Sequence, residues 1–386
     1  MRFLYILVAS VAIFGCAPAY VRNPVPIDRL SDAAIPNIPG ARYWGDELPA
    51  NADAMVAEMR AQRQASGVGR HGEFLALSGG ADDGAYGAGL LAAWSERGDR
   101  PEFTTVTGVS TGALSAPFAF LGPDYDDELR LVYGGIPPSE IFARRGLFDI
   151  LPNASLATDE PLAAVIEKYV DEGLLQAVAR EHLRGRRLFV QTANLDAQRP
   201  VIWDLGAIAA SGAPNAAAVF RQALLASASL PAIFPPAMIE VEVDGKTFDE
   251  MHVDGSVVSV NTILLSWQPA LARDAEAFDT VNFYIVRNGR IQPSPESVEY
   301  GLPSIGARAI LTLTKYLGII GMFAANYVAE VRNANLNISW IGEDFTHDHP
   351  APFDSEYMRS LYQYGFDRMK RGEAWSRSLP QLTFEE

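Results

Sequence analysis

Two glycine-rich stretches constrain the fold of this chain more than any other part of its sequence. Ser78-Gly79-Gly80-Ala81-Asp82-Asp83-Gly84-Ala85-Tyr86-Gly87 follows the apolar run Phe74-Leu75-Ala76-Leu77, and Gly108-Val109-Ser110-Thr111-Gly112 closes the run Phe103-Thr104-Thr105-Val106-Thr107. Each has the pattern of a strand, a sharp turn and a helix, because short apolar or Thr/Val-rich runs favour strands and the small residues after them permit a tight turn. A serine on such a turn is exposed at the end of its strand, and backbone N–H groups of the neighbouring turn can face it. The pair implies an α/β fold in which a serine sits opposite backbone donors.

The rest of the chain extends that pattern. Strand signals at residues 187–193, 201–203 and 280–286 alternate with helix signals at 85–97, 111–121 and 216–229, the last stopped by Pro231. Such alternation predicts a mainly parallel sheet flanked by helices, with ligands bound beyond the carboxyl ends of the strands. Residues 301–332 are strongly apolar, but Arg308 and Lys315 interrupt them, and the charge-free part, 316–329, is shorter than the ~20 residues a membrane span needs. Helical spacing of Ile310, Leu313, Leu317, Ile320, Ala324 and Val328 predicts a helix packed against the domain. Arg184, Arg186 and Arg187 read as a solvated turn between a helix and a strand.

The formal charge of −16 argues against nucleic acid as a partner, since phosphate binding requires clustered Lys and Arg. At the N-terminus, one positive charge and an apolar run lead to Cys16, the single cysteine of the 386 residues. This is the layout of a secretory signal, and Ile13, Gly15 and Cys16 resemble the lipobox of bacterial lipoproteins, with Phe14 where a smaller residue is usual. The resemblance implies a signal peptide over residues 1–16, lipidation of Cys16 and a protein anchored in a bacterial envelope, facing the periplasm from the outer membrane. The proline-rich residues 17–45 read as an extended tether, and residues 50–65 as a helix, so that 17–70 precede a body spanning 71–386.

Gly-x-Ser-x-Gly alone is a frequent accident, and at this point Ser110 reads equally as a nucleophile or as a turn serine. Gly79-Gly80 is not a phosphate loop, because Gly84 is followed by Ala85 and Tyr86 instead of Lys and Ser or Thr. As an oxyanion hole, the turn needs only free N–H groups, which Gly79, Gly80 and Ala81 supply. Asp82 and Asp83 oppose an oxyanion unless they point to solvent or to a basic partner. A serine nucleophile needs a base. None of the five histidines, His71, His182, His252, His347 and His349, follows a strand in a catalytic-loop setting. His347-Asp348-His349 reads as a polar surface loop, not a metal site. Asp254, in His252-Val253-Asp254-Gly255-Ser256, is the carboxylate that stands out.

Taken in order, Gly79-Gly80-x-x-x-Gly84, Gly108-Val109-Ser110-Thr111-Gly112, Ala226-Ser227-Ala228-Ser229-Leu230-Pro231 and Asp254-Gly255 resemble the patatin-like phospholipases over residues 74–267. The resemblance implies a three-layer α/β/α fold and a Ser–Asp dyad, with Ser110 as nucleophile, Asp254 as base and Gly79, Gly80 and Ala81 as oxyanion donors. Gly84, Gly108, Gly112 and Gly255 match motif glycines. It implies a lipid or ester substrate, hydrolysed through an acyl-enzyme with no metal or cofactor. Two positions depart from the family: Asp83 stands where a basic residue is common, and Ser256 where Gly or Ala is usual. A second reading keeps the fold and drops the chemistry, giving an envelope lipoprotein that binds lipid or a protein, with Asp82 and Asp83 marking a disabled oxyanion hole.

Overall fold

The computed structural model describes residues 21–379 apart from 135, 142, 145–154, 156, 261–273 and 275. The signal segment and Cys16 lie outside the described residues.

In chain order the sheet-forming strands are β1 (Arg42–Trp44), β2 (His71–Leu77), β3 (Thr105–Val109), β4 (Arg187–Asn194), β5 (Arg199–Asp204), β6 (Ala237–Val243), β7 (Lys246–Asp254), β8 (Thr280–Arg290) and β9 (Asn335–Ile341). The helices used below are α1 (Ala52–Ser66), α2 (Gly84–Arg97), α3 (Thr111–Leu121), α4 (Asp126–Gly134), α5 (Glu160–Tyr169), α6 (Glu172–Leu183), α7 (Leu205–Ala210), α8 (Ala216–Ser227), α9 (Leu302–Arg332) and α10 (Ser355–Arg371). The sheet runs β1-β5-β4-β3-β2-β8-β9; its parallel centre is β4-β3-β2-β8-β9, and β1 and β5 add antiparallel strands at one side.

Apolar residues on both sides of these strands need cover on both faces, as parallel sheets generally do. Leu75, Leu77, Leu188, Val190 and Val286 face one large core shared with α2, α3, α8 and α10. Ala76, Ile285 and Ile338 face the other side and meet Ile319, Met322, Ala325 and Ala329 of α9. Phe189 and Ile202, on that same side of their strands, pack with Met55 of α1. Helices on both faces of a mainly parallel sheet make the three-layer α/β fold expected from the motif order.

Two expectations need correction. Residues 21–44 are not an extended tether: Val25, Ile35, Ile38 and Ala41 are buried in the main core, and β1 pairs with β5. Arg42 closes an ion pair on Glu250 of β7, while Arg22 binds Asp249 and Asp196, so this segment braces β7 from behind. The basic turn after α6 is also not solvated. Arg186 and Arg187 are buried; Arg186 donates to the Phe103 carbonyl at 2.7 Å and Arg187 to the His182 carbonyl at 3.0 Å.

Helix α9 fits its expectation on one side. It is long and apolar enough over Ser304–Arg332 to cross a bilayer, yet Ile319, Met322, Ala325 and Ala329 are packed on the sheet. Its opposite side leaves Leu313, Tyr316, Ile320, Phe323 and Tyr327 exposed.

The topology brings two strand ends together along one edge of β4. Residues Thr105–Val109 of β3 pair in parallel with 187–191, ending at Val109 opposite Gln191. At the very next position β7 takes over the same edge from the other direction, with Asp254 opposite Thr192. Ser110 and Asp254 therefore emerge where two strands meet end to end.

Candidate active site

Ser110 is the whole connection between β3 and α3, and it adopts φ 55°, ψ −127°. These are the angles of the first central residue of a type II′ turn, a place that favours glycine. Holding a serine there costs ~1–3 kcal/mol, and such strain clusters at functional sites. The flanking glycines are required by space. A Cβ on Gly108 would sit 2.4 Å from the Gly112 carbonyl oxygen, and one on Gly112 would sit 2.2 Å from that of Leu77. The turn is held by Ser227, at the end of α8: its hydroxyl accepts from the Ser110 N–H at 3.0 Å and donates to the Gln191 carbonyl at 2.7 Å.

Asp254 ends β7 fully buried, its N–H bonded to the Ser229 carbonyl at 2.9 Å. Its Oδ1 accepts from the Ser256 N–H at 2.8 Å and from the Ser256 hydroxyl at 2.7 Å. Its Oδ2 is buried without a well-aligned hydrogen bond. The Ser110 hydroxyl is the polar group acting on this carboxyl besides Ser256. Burial pushes the Asp254 pKa up to about 6, and the Ser110 and Ser256 side chains restrain the rise. Ser256, a departure from the family pattern, thus fixes the orientation of this carboxyl. Gly255 follows against Gln191, whose Nε2 donates to its carbonyl at 3.0 Å.

The first glycine turn lies against this pair: a Cβ on Gly79 would come within 3.0 Å of Ser110 Cβ and 3.6 Å of Ser256 Cβ. Gly79 itself is not a free donor, because its N–H points to the Val260 carbonyl at 3.3 Å. The N–H groups of Gly80 and Ala81 find no acceptor among the described residues. Ala81, like Ser110, is a non-glycine residue at positive φ, here 50°. Gly84 opens α2 beside Thr111.

The acidic pair is turned away toward the C-terminal segment. Asp82 Oδ2 accepts from His349 Nε2 and from the Phe353 N–H, each at 2.7 Å, and the bond to Asp82 raises the His349 pKa. Asp83 accepts from the Tyr357 hydroxyl at 2.5 Å, and burial followed by the charge of Asp82 pushes its pKa up to about 6. The basic partner that the sequence demanded for this turn is a histidine, supplied from far along the chain.

The histidines have partners elsewhere. His252 is fully buried between Glu250 at 3.0 Å and Thr192 at 2.9 Å, His182 lies 3.7 Å from Asp204, His71 bonds Thr280, and His347 stacks on Phe345. Among the described residues, no group of three or more His, Cys, Asp or Glu is gathered as a metal site would need.

Beside the turns lies a partly open apolar pocket of about 60 Å³. Its wall begins at Ala81 and Thr111, the neighbours of the two turns, and continues along Leu114, Phe118, Leu162 and Ile166. Phe120, two residues on from Phe118, is fully buried under the Arg186 guanidinium.

Residues 75–267, half of the chain, match the model of the patatin-like phospholipase family. The chain belongs to that family. Among solved structures it is similar to VipD from Legionella pneumophila, with 14% identity, a TM-score of 0.40 and coverage of 78% of this chain and 66% of that one. It is also similar to human GIVD cytosolic phospholipase A2, with 11% identity, a TM-score of 0.31 and coverage of 83% of this chain and 53% of that one. The chain thus spans just under two thirds of the first and about half of the second. No curated protein matches it. The four ordered motifs of the sequence all fall inside the matched region.

Proposed function

We propose that this protein is a lipid acyl hydrolase working through a Ser110–Asp254 dyad. The observation that carries the reading is a strained serine turn whose hydroxyl faces a buried carboxyl with an unsatisfied oxygen. In the first step Asp254 accepts the Ser110 proton as Oγ attacks the ester carbonyl. The tetrahedral intermediate then collapses to an acyl-enzyme, and the leaving alkoxide takes that proton from Asp254. In the second step Asp254 accepts a proton from water as it attacks the acyl carbon. Collapse releases the fatty acid and returns the proton to Ser110. A carboxylate is a weak base for an alcohol, and a pKa raised to about 6 brings it closer to the working range. The free N–H groups of Gly80 and Ala81 serve the oxyanion, each well-placed donor contributing ~3 kcal/mol. The bonds of Asp82 to His349 and Phe353 and of Asp83 to Tyr357 favour a working oxyanion hole over a disabled one.

The apolar cavity favours a long acyl chain over a small soluble ester. Each buried methylene contributes ~0.8 kcal/mol. Leu162→Trp, which fills the cavity away from Ser110, is expected to lower kcat/KM for a sixteen-carbon ester by roughly a hundredfold. It should leave a four-carbon ester within about threefold, as read from p-nitrophenyl ester series. An equal loss for both lengths would remove the cavity from the acyl path.

A bacterial envelope location follows from the lipobox-like run at Cys16, which we take as the lipid anchor holding the enzyme near its substrate. Labelling by a fluorophosphonate probe tests the dyad directly. Covalent mass on the peptide bearing Ser110, absent in Asp254→Asn, is the expected result, and an unlabelled Ser110 in active protein would end the proposal.

A further inference from the structure

The end of β8 supplies a charge and an amide to the first glycine turn that nothing in the dyad accounts for. Arg287 is buried, forms no ion pair among the described residues, and leaves its Nε without a hydrogen-bond partner. Its Nη1 donates to the Gly79 carbonyl at 3.0 Å and reaches the Ser78 hydroxyl at 3.3 Å. Asn288, equally buried, completes the grip. Its N–H donates to the Ser78 hydroxyl at 2.8 Å, its Nδ2 to the Ser78 carbonyl at 2.9 Å, and its Oδ1 accepts from the Gly87 N–H at 3.1 Å. The Ser78 hydroxyl in turn donates to the Gly79 carbonyl at 2.8 Å. The contact is so close that a Cβ on Gly80 would fall 1.9 Å from the Asn288 carbonyl oxygen.

The hydrogen bonds of this buried guanidinium go to neutral groups, and the charge acting on it is that of Asp83, so its burial is costly unless its position does something. The peptide plane explains what. In a trans peptide the carbonyl and the following N–H point in opposite directions, so fixing the Gly79 oxygen fixes the direction of the Gly80 N–H. We infer that Arg287 is a positioning residue for the hydrolysis, holding the Gly79–Gly80 peptide so that the Gly80 N–H faces the oxyanion formed on Ser110. This rests on the Ser110 reading above and adds to it a residue from a strand outside the matched region. Arg287 does not touch the reacting atoms; it acts through the Gly79 carbonyl, with Asn288 and Ser78 keeping the turn in register with β8.

The test is steady-state kinetics on the full chain with a fluorogenic long-chain ester, alongside thermal unfolding to follow the folded fraction. Arg287→Met is expected to lower kcat by about a hundredfold with KM within threefold, the size of effect seen when one oxyanion donor is lost. Arg287→Lys, which keeps a donor at the carbonyl, should recover at least a third of the wild-type kcat. A rise in KM at unchanged kcat, or a loss that follows only the folded fraction, overturns the inference. If Arg287→Met does not fold, Ser78→Ala decides: a kcat lowered about tenfold at constant KM supports the peptide hold, and an unchanged kcat sinks it. Ser110→Ala separates the two levels. If that variant keeps full activity, the dyad itself is wrong; if it is inactive while Arg287→Met is fully active, only the positioning role fails.

Discussion

Ser110→Ala is expected to abolish ester hydrolysis, lowering kcat by at least roughly four orders of magnitude, while the protein stays folded. The size of the effect follows from removing the group that forms the covalent intermediate; what remains is the contribution of the oxyanion donors and of binding. Fold is spared because the backbone contacts of the turn do not involve the hydroxyl: the Ser110 N–H still reaches Ser227, and Gly108 and Gly112 still allow the close approach. Ser110→Gly makes a sharper version of the same experiment. Glycine occupies φ 55°, ψ −127° without the strain imposed on serine, so this variant should be inactive and more stable, by ~1 kcal/mol in urea unfolding. Hydrolysis surviving either change would move the nucleophile elsewhere.

Asp254→Asn should combine an activity loss of roughly a thousandfold with a gain in stability above pH 6. The folded chain holds the Asp254 proton to about pH 6, against the ordinary value of 3.8, because burial disfavours the charge. A group whose pKa is raised by folding favours the folded state below its unfolded pKa, and that contribution is lost as pH rises through the folded pKa. Between about pH 4 and 6 the Asp254 contribution therefore falls, by on the order of 2–3 kcal/mol in total. The carboxamide that replaces it in the variant has no such titration and can still accept from the Ser256 N–H, so the variant's unfolding free energy should depend less on pH. Asp83, also raised to about 6 by burial, titrates over the same window and leaves a residual slope in the variant. The wild-type rate should run the other way, rising with pH to a plateau above about 6 as the base ionises. Denaturant titrations and kcat measured from pH 4 to 8 on both proteins check the two slopes. A variant less stable than wild type at pH 8 would contradict the burial argument.

Much of this is legible in the sequence. The two strand–turn–helix units announced themselves because a tight turn leaves local marks, small residues at fixed offsets after an apolar strand. Asp254 was visible through its motif order. The supporting groups were not. Ser227 lies in the motif Ala226–Pro231, which does not reveal its role, and Arg287 and Asn288 sit in an ordinary strand; each acts through partners far along the chain, so no local pattern marks what they hold. The same limit explains the misreadings. Prolines in residues 21–44 suggested an extended tether, but Val25, Ile35 and Ile38 bury without periodicity. Arg186 and Arg187 resembled a solvated turn because carbonyl acceptors carry no sequence signature. Gly79 reads in the sequence as an oxyanion donor, and only the path of the chain after Asp254 brings the Val260 carbonyl onto its N–H.

The meeting of β3 and β7 on one edge of β4 has a bearing on how the protein comes into being. The bond that steadies the serine turn joins residues 117 apart, and the one by which Asn288 grips the Ser78 hydroxyl joins residues 210 apart. Such long loops close late, after local helices have formed. During synthesis, the serine turn and its helix can be in place while the carboxylate strand is still being made, and the grip of β8 arrives later still. On the proposed dyad, a chain that has not yet placed β7 and β8 lacks its base and the grip on the first turn, so ester turnover is expected only once β8 has joined the sheet. Recovery of ester turnover after refolding becomes a clock for that final closure, lagging the return of helical signal.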